Sequence, residues 1–515
     1  MADREANSNP KTQPCAFKFG GAAICPRPAV EGDTRCILHK RERSPEEAEA
    51  FAEEVRGMLR DKEYDFRGVV FPDGFGGLSR AVFDGPVDFS RARFQGDAEF
   101  TRARFTDRVI FNDAFIRGAA RFNAAVFQKN ANFVKTRIGG DALFTEAEIQ
   151  GAGLFSALDV GGSARFHNVS TKNLIQFGGA RVGGALVFTR SEIGASATFA
   201  HTVVGGEADF SGVRIGDEGD FSHMTVGGDA QFSGAQVARD VNLRGAIVRG
   251  NLLFRGAVVR GNGRFVGVEV ARNAMFSETK IGERGEWRRM DVSGRAYFSN
   301  VEIVGSGDFR AMNAGMFVHF GNAVFNGSVE MHGAMLPPAG DFAGVRLKMG
   351  RSPSFCRFAK QVCQNMGEYR EAGAWHYKER CHHWYERVFL SKGSKSLAAL
   401  VNPLTWLEYL LGRWVFGYGE SPTRVIVTMF LVIFGCAWGY RGMGGIWHGM
   451  NEALLSGFAD SLYFSVVVFA TLGFGDYQPV PGDSPVRYLV MAETMAGAFL
   501  MALLVVTLAR RWGRG

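Results

Sequence analysis

Residues 89–111 read FSRARFQGDAEFTRARFTDRVIF, with phenylalanine at 89, 100 and 111 and another at 94 and 105 between them. Stepping by 11 from Phe89 to Phe320 meets 22 positions, of which 20 are Phe; Leu243 and Trp287 are the exceptions. A second ladder runs five residues behind, through Phe94, Phe105, Phe127, Ile138, Ile149, Val182, Ile193, Val204, Ile215, Val226, Val237 and Val248, broken at Thr171 and Ala314. The steps therefore alternate between five and six. The longer step often carries a glycine pair, as at Gly139-Gly140, Gly161-Gly162, Gly183-Gly184, Gly205-Gly206 and Gly227-Gly228, and a small residue commonly sits two before each aromatic, as at Ala92, Ala98, Ala103, Ala142, Ala164, Ala208 and Ala230. One large inward residue at a fixed short period means coils that stack only on their neighbours, a solenoid. The repeat also accounts for 67 Gly and 45 Phe without invoking disorder.

The Ala-x-Phe units resemble those of pentapeptide-repeat proteins, whose central residue is Phe or Leu and whose residue two before it is small. The resemblance implies a right-handed quadrilateral β-helix with four short faces per coil. Lengthening two of the four steps by one makes 22 residues per coil, so the ladder makes about eleven coils, a rod roughly 50 Å long at ~4.8 Å per strand. A flattened two-sided solenoid with 11 residues per coil is the rival geometry, twice as long. Between residues 67 and 337 there are 30 Lys and Arg against 27 Asp and Glu, so the rod lacks the acidic surface of a DNA mimic. Arg244, Arg249, Arg255 and Arg260 each follow a ladder residue and would form an outward basic collar. Its readings are an ordinary solvated surface or a site for an anionic ligand or cytoplasmic protein partner.

Near the C-terminus, Thr471-Leu472-Gly473-Phe474-Gly475-Asp476 lies between the apolar stretches Val425–Tyr440 and Tyr488–Ala509. The second is long enough to span a bilayer, and the first becomes so by recruiting residues on either side, such as Pro422 or the GMGGIW segment after Arg441. Phe458–Ala470 (FADSLYFSVVVFA) is apolar but too short to cross, and reads as a re-entrant helix. Consecutive backbone carbonyls and one Thr hydroxyl can replace the hydration shell of a cation, and glycine supplies the positive φ that turns carbonyls inward. The order of these elements, from about Pro422 to Arg511, resembles the two-helix pore module of the potassium channel superfamily. There the filter reads T-V-G-Y-G-D, so Leu472 stands for Val and Phe474 for Tyr. Both keep the backbone ligands, while Phe474 lacks the hydroxyl that usually braces the filter. The resemblance implies K+ in the filter, Asp476 at the outer mouth, and a homotetramer, since one subunit supplies a quarter of each coordination cage.

Glu493 places an ionisable group inside an apolar span, where it is expected to face protein or water; it either braces the filter or pore helix from behind or is an interfacial carboxylate. Gly497, one turn later, reads equally as a gating hinge or as a small residue for close helix packing. Cys436 reads as a packing residue. Arg413 and Arg424 before the first span, and Arg510, Arg511 and Arg514 after the second, place both chain ends in the cytoplasm. Residues 1–14 are polar and lack the apolar core of a leader. No span resembles an Arg-rich voltage sensor.

Ahead of the rod, Cys15, Cys25, Cys36 and His39 have the spacing C-x9-C-x10-C-x2-H. Three thiolates and an imidazole suit a closed tetrahedral structural Zn2+ site, and a cytoplasmic setting disfavours disulfides; the alternative is unligated cysteines in a small packed unit. Ser44-Pro45-Glu46-Glu47 signals a helix start, and the helix to about Lys62 is placed to cover the first coil. The chain thus divides into a Cys3His unit (1–43), a capping helix (44–66), the β-helix (67–337), a helical connector (338–420) and the pore domain (421–515). In the connector, Phe355–Leu390 has the spacing of an amphipathic helix or helix pair broken near Gly367 or Gly373, and Pro403–Val415 that of an interfacial helix. Cys356, Cys363, Cys381, His382 and His383 there read as packing more than as a second metal cluster. The connector's 12 Lys and Arg against 7 Asp and Glu suit an anionic leaflet, and the net charge of +7 calls for no nucleic acid. No nucleophile with a base and no phosphate loop is visible, so an enzyme is not expected. The expectation is a potassium or cation channel of the cell membrane with a cytoplasmic β-helix for regulation or interaction; the alternative is a membrane-anchored scaffold with a non-conducting pore module.

Overall fold

The computed structural model describes residues 13–20, 23–348, 351–390, 403–448, 457–480 and 485–512. The leader reading rests largely on residues outside this range, as does the charge at Arg514. The chain forms two compact units, residues 1–348 and 349–515.

The first unit is a β-solenoid with four parallel sheets, three of 12 strands and one of 13. Each strand is two or three residues long and pairs with strands 22 residues before and after it: Arg93 with Phe115, Ala98 with Ala120, Arg104 with Val126 and Val87 with Val109. Four faces per turn exclude the two-sided alternative. The ladder positions fill the interior. Phe100 stacks on Phe122 at 4.8 Å and 1°, and meets Phe111 edge-on at 5.3 Å and 88°, so two phenylalanine columns interlock at right angles. Burying each ring contributes about 2–3 kcal/mol, and the same contact repeats coil after coil.

The rod is longer than the eleven coils expected. Strands Val70–Phe71 and Val82–Phe83 precede the counted ladder, and Ala339–Asp341 and Arg346–Leu347 lie beyond residue 337. Phe66 stacks on Phe89 at 4.8 Å and Phe342 on Phe320 at 6.0 Å. The count stopped short because the register slips at one end, where Val70 pairs with Arg93 across one extra residue, and because Met331 replaces the aromatic at the other.

Two corners of each coil use different residues for different reasons. Two residues after each ladder phenylalanine the backbone is left-handed, mostly without glycine: Arg91 (φ 57°), Arg102 (φ 59°), Asp113 (φ 56°) and Ala124 (φ 53°). At the glycine pairs φ is ordinary, but a Cβ on Gly161 would lie 2.4 Å from the Gly139 carbonyl oxygen of the coil below. Space, not conformation, requires glycine there.

Helix α1 (Pro45–Arg60) begins with a full capping box between Ser44 and Glu47, and buries Phe51, Val55 and Met58. Phe51 packs edge-on against Phe71 of the first coil at 5.7 Å.

In the second unit α2 (Pro353–Asn365) and α3 (Tyr369–Tyr385) form a helical pair. The break falls at Gly367 (φ 79°), and Gly373 lies inside α3. Next come α4 (Pro403–Leu410), the apolar α5 (Pro422–Met443), the short α6 (Phe458–Phe469) and α7 (Pro485–Trp512). Helix α5 and residues 485–509 of α7 are long and apolar enough to cross a membrane. Large side chains such as Phe430, Leu431, Trp438, Met491, Met495 and Val505 point outward from them, leaving a broad exposed apolar surface.

Candidate functional site

The segment 471–476 begins where α6 ends. Thr471 and Leu472 donate their N–H groups to the carbonyls of Val468 and Val467, at 3.1 and 3.0 Å, which closes the helix and turns the chain. Beyond that turn φ is positive at Thr471 (54°), Gly473 (58°) and Gly475 (80°). A Cβ at Gly473 or Gly475 would meet nothing within 4 Å, so the glycines answer a conformational demand. Leu472 and Phe474 are exposed in the single chain.

Asp476 accepts from its neighbour Tyr477 N–H at 3.1 Å, while the Gln478 amide donates to the Gly475 carbonyl at 3.2 Å. A short antiparallel ribbon then pairs Ile446–His448, which follows α5, with Tyr477–Pro479. The segment is thereby held at both ends.

Behind it, α5, α6 and α7 meet at one carboxyl group. Glu493 of α7 is buried; Tyr440 of α5 donates to its Oε2, and the Ser465 hydroxyl of α6 bonds its Oε1. Ser465 Oγ also lies 2.8 Å from the Ile433 carbonyl of α5. Tyr440, Phe464, Ile446 and Val486 pack around this network. Glu493 was legible as an ionisable residue in an apolar span; Tyr440 and Ser465 were not. A tyrosine and a serine in apolar helices carry no periodic signal, and both lie far from Glu493 in the chain.

Gly497 sits against the end of α6. A Cβ there would come 2.2 Å from the Phe469 carbonyl oxygen and 3.1 Å from its carbon, so the α7 backbone touches the α6 backbone. Close packing is therefore what the geometry asks of Gly497. Phe469, Leu500 and Val425 bury one another beside this contact.

A second constellation lies in the first unit. The ligand atoms of Cys15, Cys25, Cys36 and His39 all fall within 4.8 Å of one another, and all four residues are buried. His39 Nδ1 is 3.5 Å from Cys15 Sγ and 3.1 Å from Cys36 Sγ, while its Nε2 donates to the Arg67 carbonyl at 3.0 Å. Burial pushes the Cys36 thiol up to about 12 and Cys25 upward as well, and holds His39 below the usual imidazole range. Such a pocket suits a cation that makes buried thiolates tolerable, and the cluster could bind a metal. Among the described residues, Cys356, Cys363, Cys381, His382 and His383 form no such group. His382 instead accepts the Ser352 N–H at 3.4 Å, and burial takes it down to about 4.

Arg244, Arg249, Arg255 and Arg260 are exposed on successive faces of one coil, and Arg255 pairs with Glu278 at 3.4 Å.

Comparison with known families gives two matches. A profile described as pentapeptide repeats matches residues 78–126 and 100–148, and one described as an ion channel matches residues 426–513. No curated protein and no solved structure matches the chain. The second match spans α5, α6, the 471–476 segment and α7, and points to a transporter in a membrane and away from an enzyme. The chain therefore joins pentapeptide repeats, wound into a β-solenoid, to a two-helix ion-channel domain.

Proposed function

We propose that the chain is one subunit of a tetrameric, potassium-selective channel of the cell membrane, with its solenoid and both ends in the cytoplasm. One observation carries the reading: Thr471-Leu472-Gly473-Phe474-Gly475-Asp476, with positive φ at Thr471, Gly473 and Gly475, sits between the end of a short apolar helix and a spanning-length helix. In this reading carbonyls of the segment take the place of water around K+, and fourfold assembly completes each cage. Asp476 raises the local cation concentration at the mouth. Glu493 holds α6 in place from behind, and the apolar outer faces of α5 and α7 meet lipid and neighbouring subunits.

The basic residues flanking the spans support the orientation. The solenoid acts as a regulatory or interaction domain, and no voltage sensor of the Arg-rich type drives gating. The Cys3His cluster takes a structural zinc ion, its donor set matching that metal's preference.

Reconstitution in liposomes under a potassium gradient tests the pore. Flux that Gly473→Asp or Gly475→Asp abolishes supports conduction through this segment. Protein that folds, assembles and carries no ion in any gradient points to a membrane-anchored scaffold. For the collar, charge reversal of Arg244, Arg249, Arg255 and Arg260 with unchanged gating removes the anionic partner from the reading.

A further inference from the structure

In two of the four sheets, including the one that begins at Val70–Phe71, each inner strand donates its N–H groups to the coil before it, as Arg93 does to the Val69 carbonyl at 2.8 Å and Gln95 to that of Phe71 at 2.9 Å; in the other two it donates to the coil after, as Ala98 does to the Ala119 carbonyl at 2.8 Å. The first coil has no predecessor. Its Val70 N–H, which an open end would leave without a protein partner, donates instead to the Leu38 carbonyl at 2.9 Å. Leu38 is buried and lies between Cys36 and His39, two of the four clustered ligands. The segment that carries half the cluster thus also supplies the missing acceptor at the solenoid's open end.

Two further contacts tie the same cluster to the first coil. The His39 Nε2–H bond to the Arg67 carbonyl leaves Nδ1 as the lone-pair nitrogen facing the thiols, the arrangement a metal-binding imidazole needs. Phe17, two residues past Cys15, stacks on the His39 ring at 4.0 Å and lies over Gly68, where a Cβ would come 1.9 Å from its ring. Backbone bonds such as Cys15 N–H to the Arg27 carbonyl at 2.9 Å and Ala16 N–H to the Thr34 carbonyl at 2.8 Å, and the Arg43 guanidinium on the Ile37 carbonyl at 2.9 Å, also hold this stretch. Among the described residues its regular structure is one strand pair, Lys18–Gly20 with Ala23–Ile24, and chain segments below about 40 residues usually need a cross-link or a metal to fold. Helix α1 packs on the first coil through Phe51 on Phe71, and the Lys40–Glu47 ion pair at 2.6 Å and the Arg43 guanidinium over the Phe51 ring tie it to the segment as well.

We infer that zinc held by Cys15, Cys25, Cys36 and His39 is a clamp that presses Leu38 onto Val70, so that closure of the solenoid's first coil depends on the metal. This rests on the zinc assignment above and adds what the ion does. Zn–S of ~2.3 Å and Zn–N of ~2.0–2.1 Å around a tetrahedral ion put neighbouring ligand atoms about 3.5–3.8 Å apart. The cluster, with 3.1 and 3.5 Å between nitrogen and sulfur and no pair beyond 4.8 Å, needs only small side-chain shifts to reach that. An unclamped edge is also a template for pairing with another chain, so the clamp guards against end-to-end association.

The test uses full-length protein in detergent under reducing conditions. Elemental analysis is expected to find about one zinc per chain. Hydrogen exchange of peptides covering residues 66–71 is expected to quicken at least tenfold on chelation, with residues 175–187 unchanged as the internal control. Cys36→Ser is expected to reproduce the effect, and cobalt loading to restore protection together with the visible bands of a tetrahedral thiolate site. Absence of zinc overturns both the assignment and the clamp. Zinc whose removal leaves exchange at 66–71 unchanged overturns the clamp alone. Exchange rising equally in the control coil also overturns it, since the metal would then hold the whole solenoid and not its first coil.

Discussion

Gly497→Ala separates two readings of one glycine. The added methyl carbon would lie 2.2 Å from the Phe469 carbonyl oxygen. A relaxed carbon–oxygen contact is about 3.2–3.4 Å, so α7 and the end of α6 must part by roughly 1 Å, an overpacking cost of about 1–3 kcal/mol. Alanine recovers about 1 kcal/mol of helix propensity, which leaves a net loss of up to about 2 kcal/mol. The displaced atoms belong to Phe469, two residues before Thr471, so the 471–476 segment moves with them. We expect a lower midpoint of thermal unfolding in detergent and a fall in liposomal K+ flux of tenfold or more, with Gly497→Val worse than Gly497→Ala. Gly435 in α5 is the control, because a Cβ there meets nothing within 4 Å. Gly435→Ala is expected to leave stability equal or higher. If Gly497→Ala raises the midpoint while suppressing flux, the packing argument fails and a flexible hinge explains the residue better.

Three other outcomes follow from the geometry. Glu493→Ala leaves the Tyr440 hydroxyl without its buried partner, at about 1–3 kcal/mol, while Ser465 keeps the Ile433 carbonyl as acceptor; a double-mutant cycle of Tyr440→Phe with Glu493→Gln is expected to show coupling of at least about 1 kcal/mol, and additivity would count against the network. Phe144→Ala removes a ring stacked on Phe122 and Phe166 at 4.8 and 4.7 Å and costs about 3–5 kcal/mol. Because coils touch only their neighbours, hydrogen exchange should quicken around residues 122–166 and not at the rod's ends. Lastly, burial disfavours charge on Glu379, yet Lys360 at 2.7 Å and Arg357 at 2.9 Å hold its carboxyl below the usual range, while burial holds neighbouring His376 and His383 below the usual imidazole range. Each of these groups binds protons more readily unfolded than folded, so their stability contributions are fullest above the unfolded values, about 6.5 for His and 4.3 for Glu, and fade as pH falls. Fluorescence of buried Trp375 should report loosening of the α2–α3 pair in two stages on acidification, and Glu379→Gln should remove the lower one.

The repeat was readable because a solenoid writes its geometry into the chain at a fixed spacing. The ends were harder, since a one-residue slip before Arg93 and a methionine at 331 interrupt the count without interrupting the stack. Glycine was the most ambiguous letter. At Gly161 it makes room for the coil below, at Gly473 and Gly475 it supplies positive φ, and at Gly497 it lets two helices touch. Sequence shows the residue and not which of these it serves.

Composition and spacing alone thus determined the solenoid with its 11-residue ladder, the two spanning helices and the short apolar helix between them, because each depends on a periodic or continuous apolar pattern that local chain geometry must follow; that two steps of the ladder make one 22-residue coil with four faces is a matter of strand pairing, which the structure decided. Only the tertiary structure decided that Tyr440 and Ser465 meet Glu493, that Gly497 lies against Phe469, and that Leu38 completes the first coil. Those contacts join residues far apart in the chain, and their partners are set by how helices and coils pack, which no local pattern encodes.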